Sequence, residues 1–197
     1  MMHTLASLVL FLFPLAYSPG PGNLFFAANG ARFGFWSTMP LSAGYHVATW
    51  LVTVAIGLGF NTALELYPNV FQVLKLAGSI YVFWIAWHLL RAGVLESTET
   101  AKSATCRDGF ILLILNPKAY VIISLMFTQF LVDTNGSSLP LVILIATIFT
   151  ANNLLAFSLW TIAGDTLARR FRSDSQAKTL NAFFGTLLAG VGLWILL

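Results

Sequence analysis

Charge is the scarcest property of this chain: Asp, Glu, Lys and Arg make up 9% of 197 residues, against 58% hydrophobic ones. That is far too much apolar side chain for one soluble core, so the composition excludes an ordinary soluble domain and implies a polytopic membrane protein. None of the carboxylates falls in the middle of an apolar run; Glu65 and Asp133 sit at one set of run ends and Asp165 at another. A carboxylate proton carrier inside the membrane is therefore missing. The single Cys106 rules out an internal disulfide and argues against a thiolate metal site. No phosphate-binding loop is present, and no cofactor is implied. His3, His46 and His88 lie at different depths with no carboxylate beside His46, which leaves an integral membrane enzyme without its catalytic groups. No Lys or Arg precedes the first apolar run either. Although residues 5–15 resemble a signal-peptide core, a mature chain starting at Pro19 would run straight into membrane-type sequence, so the first span is expected to be retained.

What is present is a series of apolar runs, each near the roughly 20 residues a span requires. They cover residues 5–28, 38–60, 68–91, 109–131, 138–163 and 179–197, predicting an all-α fold of six transmembrane helices in a single transmembrane domain, 1–197. Arg32, then Arg91, Lys102 and Arg107, then Arg169, Arg170, Arg172 and Lys178 fall in alternate connections. The positive-inside rule makes those three loops cytoplasmic and puts both termini outside. The net charge of +3 is thus a topology signal, with no nucleic-acid footprint in it. Residues 92–108, the most polar stretch, read as a cytoplasmic linker between two three-helix halves. Trp84 and Trp87 suit a membrane interface, Lys75 can snorkel outward, and His88 beside Arg91 reads as a solvated helix end. Gly185, Gly190 and Gly192 suit the last span to close packing, on a neighbouring span or on a second copy in a homo-oligomer.

Two of the runs are interrupted. The first contains Tyr17-Ser18-Pro19-Gly20-Pro21-Gly22-Asn23, after which apolar sequence resumes at once. Proline removes a backbone donor and clashes with the preceding turn, and glycine allows a sharp change of direction, so several backbone groups lose their helical partners. Lipid cannot satisfy them; such a break faces protein or a polar cavity. The fourth run repeats the theme with Asn116-Pro117-Lys118, placing an amine deep in apolar sequence at an insertion cost of about 2.5–3.5 kcal/mol. The competing readings are a packing kink and a lysine that only holds the fold through backbone carbonyls. Proline-broken helices in corresponding positions of two halves point to a transporter site, and three helices per half make the second half inverted. Asn116 is expected to cap and Pro117 to start the second part of the fourth span, with Gly22 and Asn23 doing likewise in the first. Half-helix N-termini of this kind attract anions such as a carboxylate.

At about 1.5 Å per residue in a core about 30 Å thick, Pro19, His46 and Pro117 reach nearly the same level. Asn152 and Asn153 in the fifth span lie there too, either as cavity groups or as interhelical hydrogen-bond partners. His46 is the one group of near-neutral intrinsic pKa at this depth, a candidate to carry the coupling proton or, on the plainer reading, a packed histidine.

Taken together, Ser18-Pro19-Gly20-Pro21 with Asn23, the turn from Gly30 to Gly34, Leu74-Lys75-Leu76-Ala77-Gly78 with Tyr81, Asn116-Pro117-Lys118-Ala119 and Gln129-Phe130 resemble the LysE/RhtB family of small bacterial amino-acid exporters over essentially the whole chain. Gly22 departs from that pattern by extending the Pro-Gly-Pro-Asn run. The resemblance implies an inner-membrane secondary exporter of amino acids or close derivatives, driven by a proton or ion gradient. A zwitterion would set its carboxylate against the breaks and Lys118, with Asn23, Asn152 and Asn153 as partners and Gly20 and Gly22 as hinges. Lys118 would favour a neutral amino acid over a cationic one. The alternative class is a non-transporting membrane assembly or sensor component, since glycine faces and buried asparagines also serve packing.

Overall fold

The computed structural model describes residues 2–60, 103–130 and 139–170, with isolated helical positions between 76 and 90 and between 179 and 193. All regular structure among these residues is helical: α1 (Met2–Tyr17), α2 (Pro21–Phe33), α3 (Met39–Ala55), α4 (Cys106–Ile114), α5 (Pro117–Phe130) and α6 (Leu139–Arg170). A 3-10 turn, Trp36–Thr38, leads into α3, and a π turn, Ile56–Phe60, follows it. Both expected breaks are real: the axis bends by 62° between α1 and α2 and by 63° between α4 and α5. With Trp36–Gly59 and Leu139–Ala168, which are long and apolar enough to cross on their own, the described residues hold up to four membrane spans. Most of the expected third and sixth spans and of the 92–108 linker lies outside the described residues.

Several ends fall elsewhere than expected. The first run continues to Phe33, so Asn29 to Phe33 are helix and the turn begins at Gly34, whose φ of 85° is open to glycine. Asn29 tolerates burial because its amide donates to Thr38 Oγ1 (2.9 Å) and accepts from the Ala104 amide (3.3 Å). Cys106 opens α4 instead of lying in a loop, because Thr105 and Asp108 form a reciprocal capping box ahead of it. Thr105→Ala is expected to cost about 1 kcal/mol, read as a fall of about 2–4 °C in Tm. The fifth run is longer than 138–163: α6 has 32 residues, about 48 Å of helix.

Glycines set the helix crossings. A Cβ on Gly164 would strike the Ala27 carbonyl and one on Gly30 the Thr161 carbonyl, so α2 and α6 cross with their backbones in contact. Gly44 meets the Cys106 carbonyl and Gly109 the Leu41 carbonyl in the same way, docking α4 on α3. Each broken run thus lays one half along an unbroken helix. In the last run Gly185 packs on Leu90 and Ala86, as expected of a glycine-rich face, whereas Gly190 has nothing within 4 Å among the described residues. One apolar cluster gathers Phe26, Leu41, Tyr45, Leu112 and Phe157; a second gathers Leu8, Leu12, Ile123, Met126 and Phe149. Val47, Leu51, Leu155, Leu159 and Ile162 stand exposed, an apolar surface suited to lipid.

Candidate functional site

A break in a helix frees the carbonyls of its last turn, and those of α1 are satisfied one by one. Ser18 closes the end locally, its amide donating to Pro14 O (3.2 Å) and its hydroxyl to Leu15 O (3.0 Å). The next three acceptors draw on three different helices. Asn23 Nδ2 of α2 donates to Ala16 O (3.0 Å), Trp160 Nε1 of α6 to Tyr17 O (3.2 Å), and Lys118 Nζ of α5 to Ser18 O (2.8 Å). Lys118 Nζ also reaches Ser18 Oγ (3.0 Å) and Pro19 O (3.5 Å). A cation at the C-terminal end of α1 sits where the helix dipole favours it. Gly20 makes the approach possible, since a Cβ there would lie 2.9 Å from Lys118 Cδ and 3.0 Å from its Nζ.

The second break is closed similarly. Tyr120 Oη donates to Ile114 O (3.0 Å) and the Asn116 amide to Leu113 O (2.9 Å). Pro117 opens α5 as expected, but the Asn116 side chain does not cap it. Asn116 Nδ2 donates instead to Tyr45 Oη (2.9 Å), and its Oδ1 is buried without a partner among the described residues. In α2 the start is Pro21 with Gly20 at the N-cap, two residues ahead of the expected Gly22 and Asn23. Proline at the first helical position loses no bond, which is why this register wins. Gly22 lies inside the helix with Phe157 Cε1 2.9 Å from where a Cβ would be, a packed position and not a hinge.

Asn23, Asn116, Lys118 and Asn153 therefore converge, with Tyr45, Phe149 and Phe157, on one cavity of about 10 Å³. That is room for about one water, where small-molecule sites have about 300 Å³ or more. The site is small. Asn152 is buried but does not line it: successive helical residues point about 100° apart, so only one of the two asparagines can face the cavity. His46 does not line it either, but sits with Ser42, Trp50, Thr150 and Leu154 along a separate groove of about 640 Å³. Its Nδ1 donates to Ser42 O (2.7 Å), which leaves Nε2 without a proton in the neutral ring; Nε2 is buried, near the Asn153 backbone, with no well-formed hydrogen bond among the described residues.

Tyr45 is the residue sequence reasoning missed. It is fully enclosed by Phe26, His46 and Phe157, and its hydroxyl joins α3 to the second break. Its apolar body hides it in a hydrophobic run, and only its place between the Ser42 and Thr49 side chains marks it. Tyr45→Phe strands the Asn116 amide and is expected to cost about 1–3 kcal/mol, measured by thermal unfolding of the purified protein.

No solved structure matches the chain. The LysE type translocator family matches residues 13–197. An uncharacterized membrane protein of Vibrio cholerae is 22% identical over 98% of this chain and 96% of its own length. A homoserine/homoserine lactone efflux protein of Salmonella typhimurium is 26% identical over 90% and 88%. A cysteine/O-acetylserine efflux protein of Escherichia coli K12 is 27% identical over 88% and 87%. A family match running from the middle of α1 to the last residue, over a chain of apolar helices broken twice, makes this protein a member of the LysE-type translocator family.

Proposed function

We propose that the protein is a secondary exporter of amino acids or close derivatives, neutral ones preferred, acting from the bacterial cytoplasmic membrane on the proton gradient. The observation that carries this reading is the junction of the two breaks: Lys118 of one held on the freed carbonyls of the other, beside a small cavity lined by three asparagines. Homoserine, homoserine lactone, cysteine and O-acetylserine, the compounds named for two relatives, share a primary ammonium group, and the lactone has no free carboxylate. The ammonium is the common handle. Where a carboxylate is present, Lys118 and the unbonded N–H groups at the start of α2 suit it. Where the substrate has a carboxylate, that group offsets the charge its ammonium brings beside Lys118, which supports a preference for neutral zwitterions among the amino acids.

The two nearly equal bends support two inverted halves of three spans within one unit, 1–197, joined by a cytoplasmic linker at 92–108 with both termini outside. Because the cavity holds about one water, one half must move against the other to admit substrate, with Gly20 as a pivot. His46 is the proposed proton carrier, by way of its unprotonated Nε2. His46→Asn is expected to cut gradient-driven efflux at least tenfold and flatten its pH dependence; unchanged efflux with an unchanged pH profile removes it from coupling.

The test of the reading is efflux from cells loaded with a panel of labelled amino acids. The intact chain should export one or a few of them faster than empty membranes, and the gain should vanish in Pro19→Ala/Pro117→Ala and when the proton gradient is collapsed. No difference across the panel, with the protein present in the membrane, rejects amino-acid export.

A further inference from the structure

We propose that Lys118 is a tethered competitor for the substrate's ammonium group: its Nζ rests on the acceptors where that ammonium docks, and binding displaces it. The inference rests on the export reading and specifies its site. An ammonium has three donors and no acceptor. Ser18 O, Ser18 Oγ and Pro19 O, at 2.8, 3.0 and 3.5 Å, form a matching triplet at the negative end of α1. No carboxylate among the described residues pairs with Lys118, so a half-buried cation is held by neutral oxygens alone. Beside it, Asn116 Oδ1, on a residue 4% exposed, is a further acceptor with no donor among the described residues. The cavity between them, about 10 Å³, admits no second ammonium while Lys118 stays.

A substrate ammonium arriving at these oxygens would turn Lys118 away, free to meet the substrate's carboxylate. The exchange keeps the carbonyls of the break satisfied in both states, which lipid or a dry cavity requires. With a zwitterion the charge of the site stays at +1; with a cationic amino acid it would rise to +2. In the empty state the lysine also closes the break. Gly20 fits this role, since any side chain there would press on the lysine stem.

The test removes the tether. Lys118→Ala deletes Cγ through Nζ, the skeleton of n-propylammonium, so that amine is the probe, with propanoate as the ion of equal length and opposite sign. Thermal unfolding of the purified full chain is followed at constant ionic strength. Saturable stabilisation of Lys118→Ala by n-propylammonium is expected, about 3–6 °C at ten times its Kd, with less than 1 °C in the wild type and none from propanoate. Equal shifts in both proteins, or none in the variant, overturn the proposal. If Lys118→Ala is recovered folded only when n-propylammonium is present during purification, that supports it; failure to recover folded protein with either ion overturns it. Exchange of labelled amino acids by the wild type in proteoliposomes is read alongside. Exchange without the amine shift leaves an exporter and no competitor, whereas the amine shift without exchange leaves an ammonium site and removes amino-acid export.

Discussion

Lys118→Met is expected to abolish export while leaving the chain folded in the membrane. Methionine keeps most of the length of the stem and loses the ammonium, so Ser18 O and Pro19 O lose their donor. Removing one partner of a buried hydrogen bond costs about 1–3 kcal/mol. Against that, a lysine at the centre of a span costs about 2.5–3.5 kcal/mol to insert, a cost the variant escapes. The two terms nearly cancel, so the amount of protein in the membrane should change by less than about twofold. Transport has no such compensation. The cavity would hold no charged group among its described lining, and initial efflux rates per molecule should fall at least tenfold. Normal efflux from normally inserted Lys118→Met would reduce the lysine to a structural clasp.

Gly164→Leu should have the largest effect on stability. At this crossing the α6 backbone lies against the Ala27 carbonyl, and a Cβ has no space at all. Overpacking a filled interior costs about 1–3 kcal/mol where side chains can yield; here the obstacle is backbone, and α2 carries Asn23 of the cavity. A loss of about 3 kcal/mol or more is expected, lowering Tm by about 6–12 °C. Gly190→Leu is the comparison, since no described residue lies within 4 Å of that glycine. It should stay within about 0.5 kcal/mol of the native protein. Similar losses at both positions would mean that leucine in a glycine-bearing helix, and not the α2–α6 crossing, sets the cost.

The contrast between these positions shows what one-dimensional reading reaches. Pro19, Pro21 and Pro117 announce their breaks because the penalty is local to the chain, and both breaks occur where the letters put them. The start of α2 is less legible, since Gly22 and Asn23 read as a cap and a first residue, yet the helix already begins at Pro21. Partners across the fold are less legible still. Lys118 finds Ser18 across 100 residues and Trp160 finds Tyr17 across 143, and no local rule says which helices adjoin. Asn152 and Asn153 look equivalent in a string, yet helical geometry turns only Asn153 to the cavity. His46 and Tyr45 make the reverse case. The titratable residue draws notice, while the aromatic one beside it holds the hydroxyl that reaches the second break.

The central claim is that the two breaks form one site for the head group of an exported amino acid. The most direct measurement is counterflow in proteoliposomes: accumulation of a labelled amino acid driven by the same unlabelled compound trapped inside, with N-acetylated and unmodified amino acids as competitors. Exchange should be blocked by amino acids with a free ammonium, at least tenfold less by their N-acetyl forms, and should be lost in Pro19→Ala/Pro117→Ala. Exchange that survives the double substitution, or that N-acetyl and free forms inhibit equally, would contradict a head-group site at the breaks.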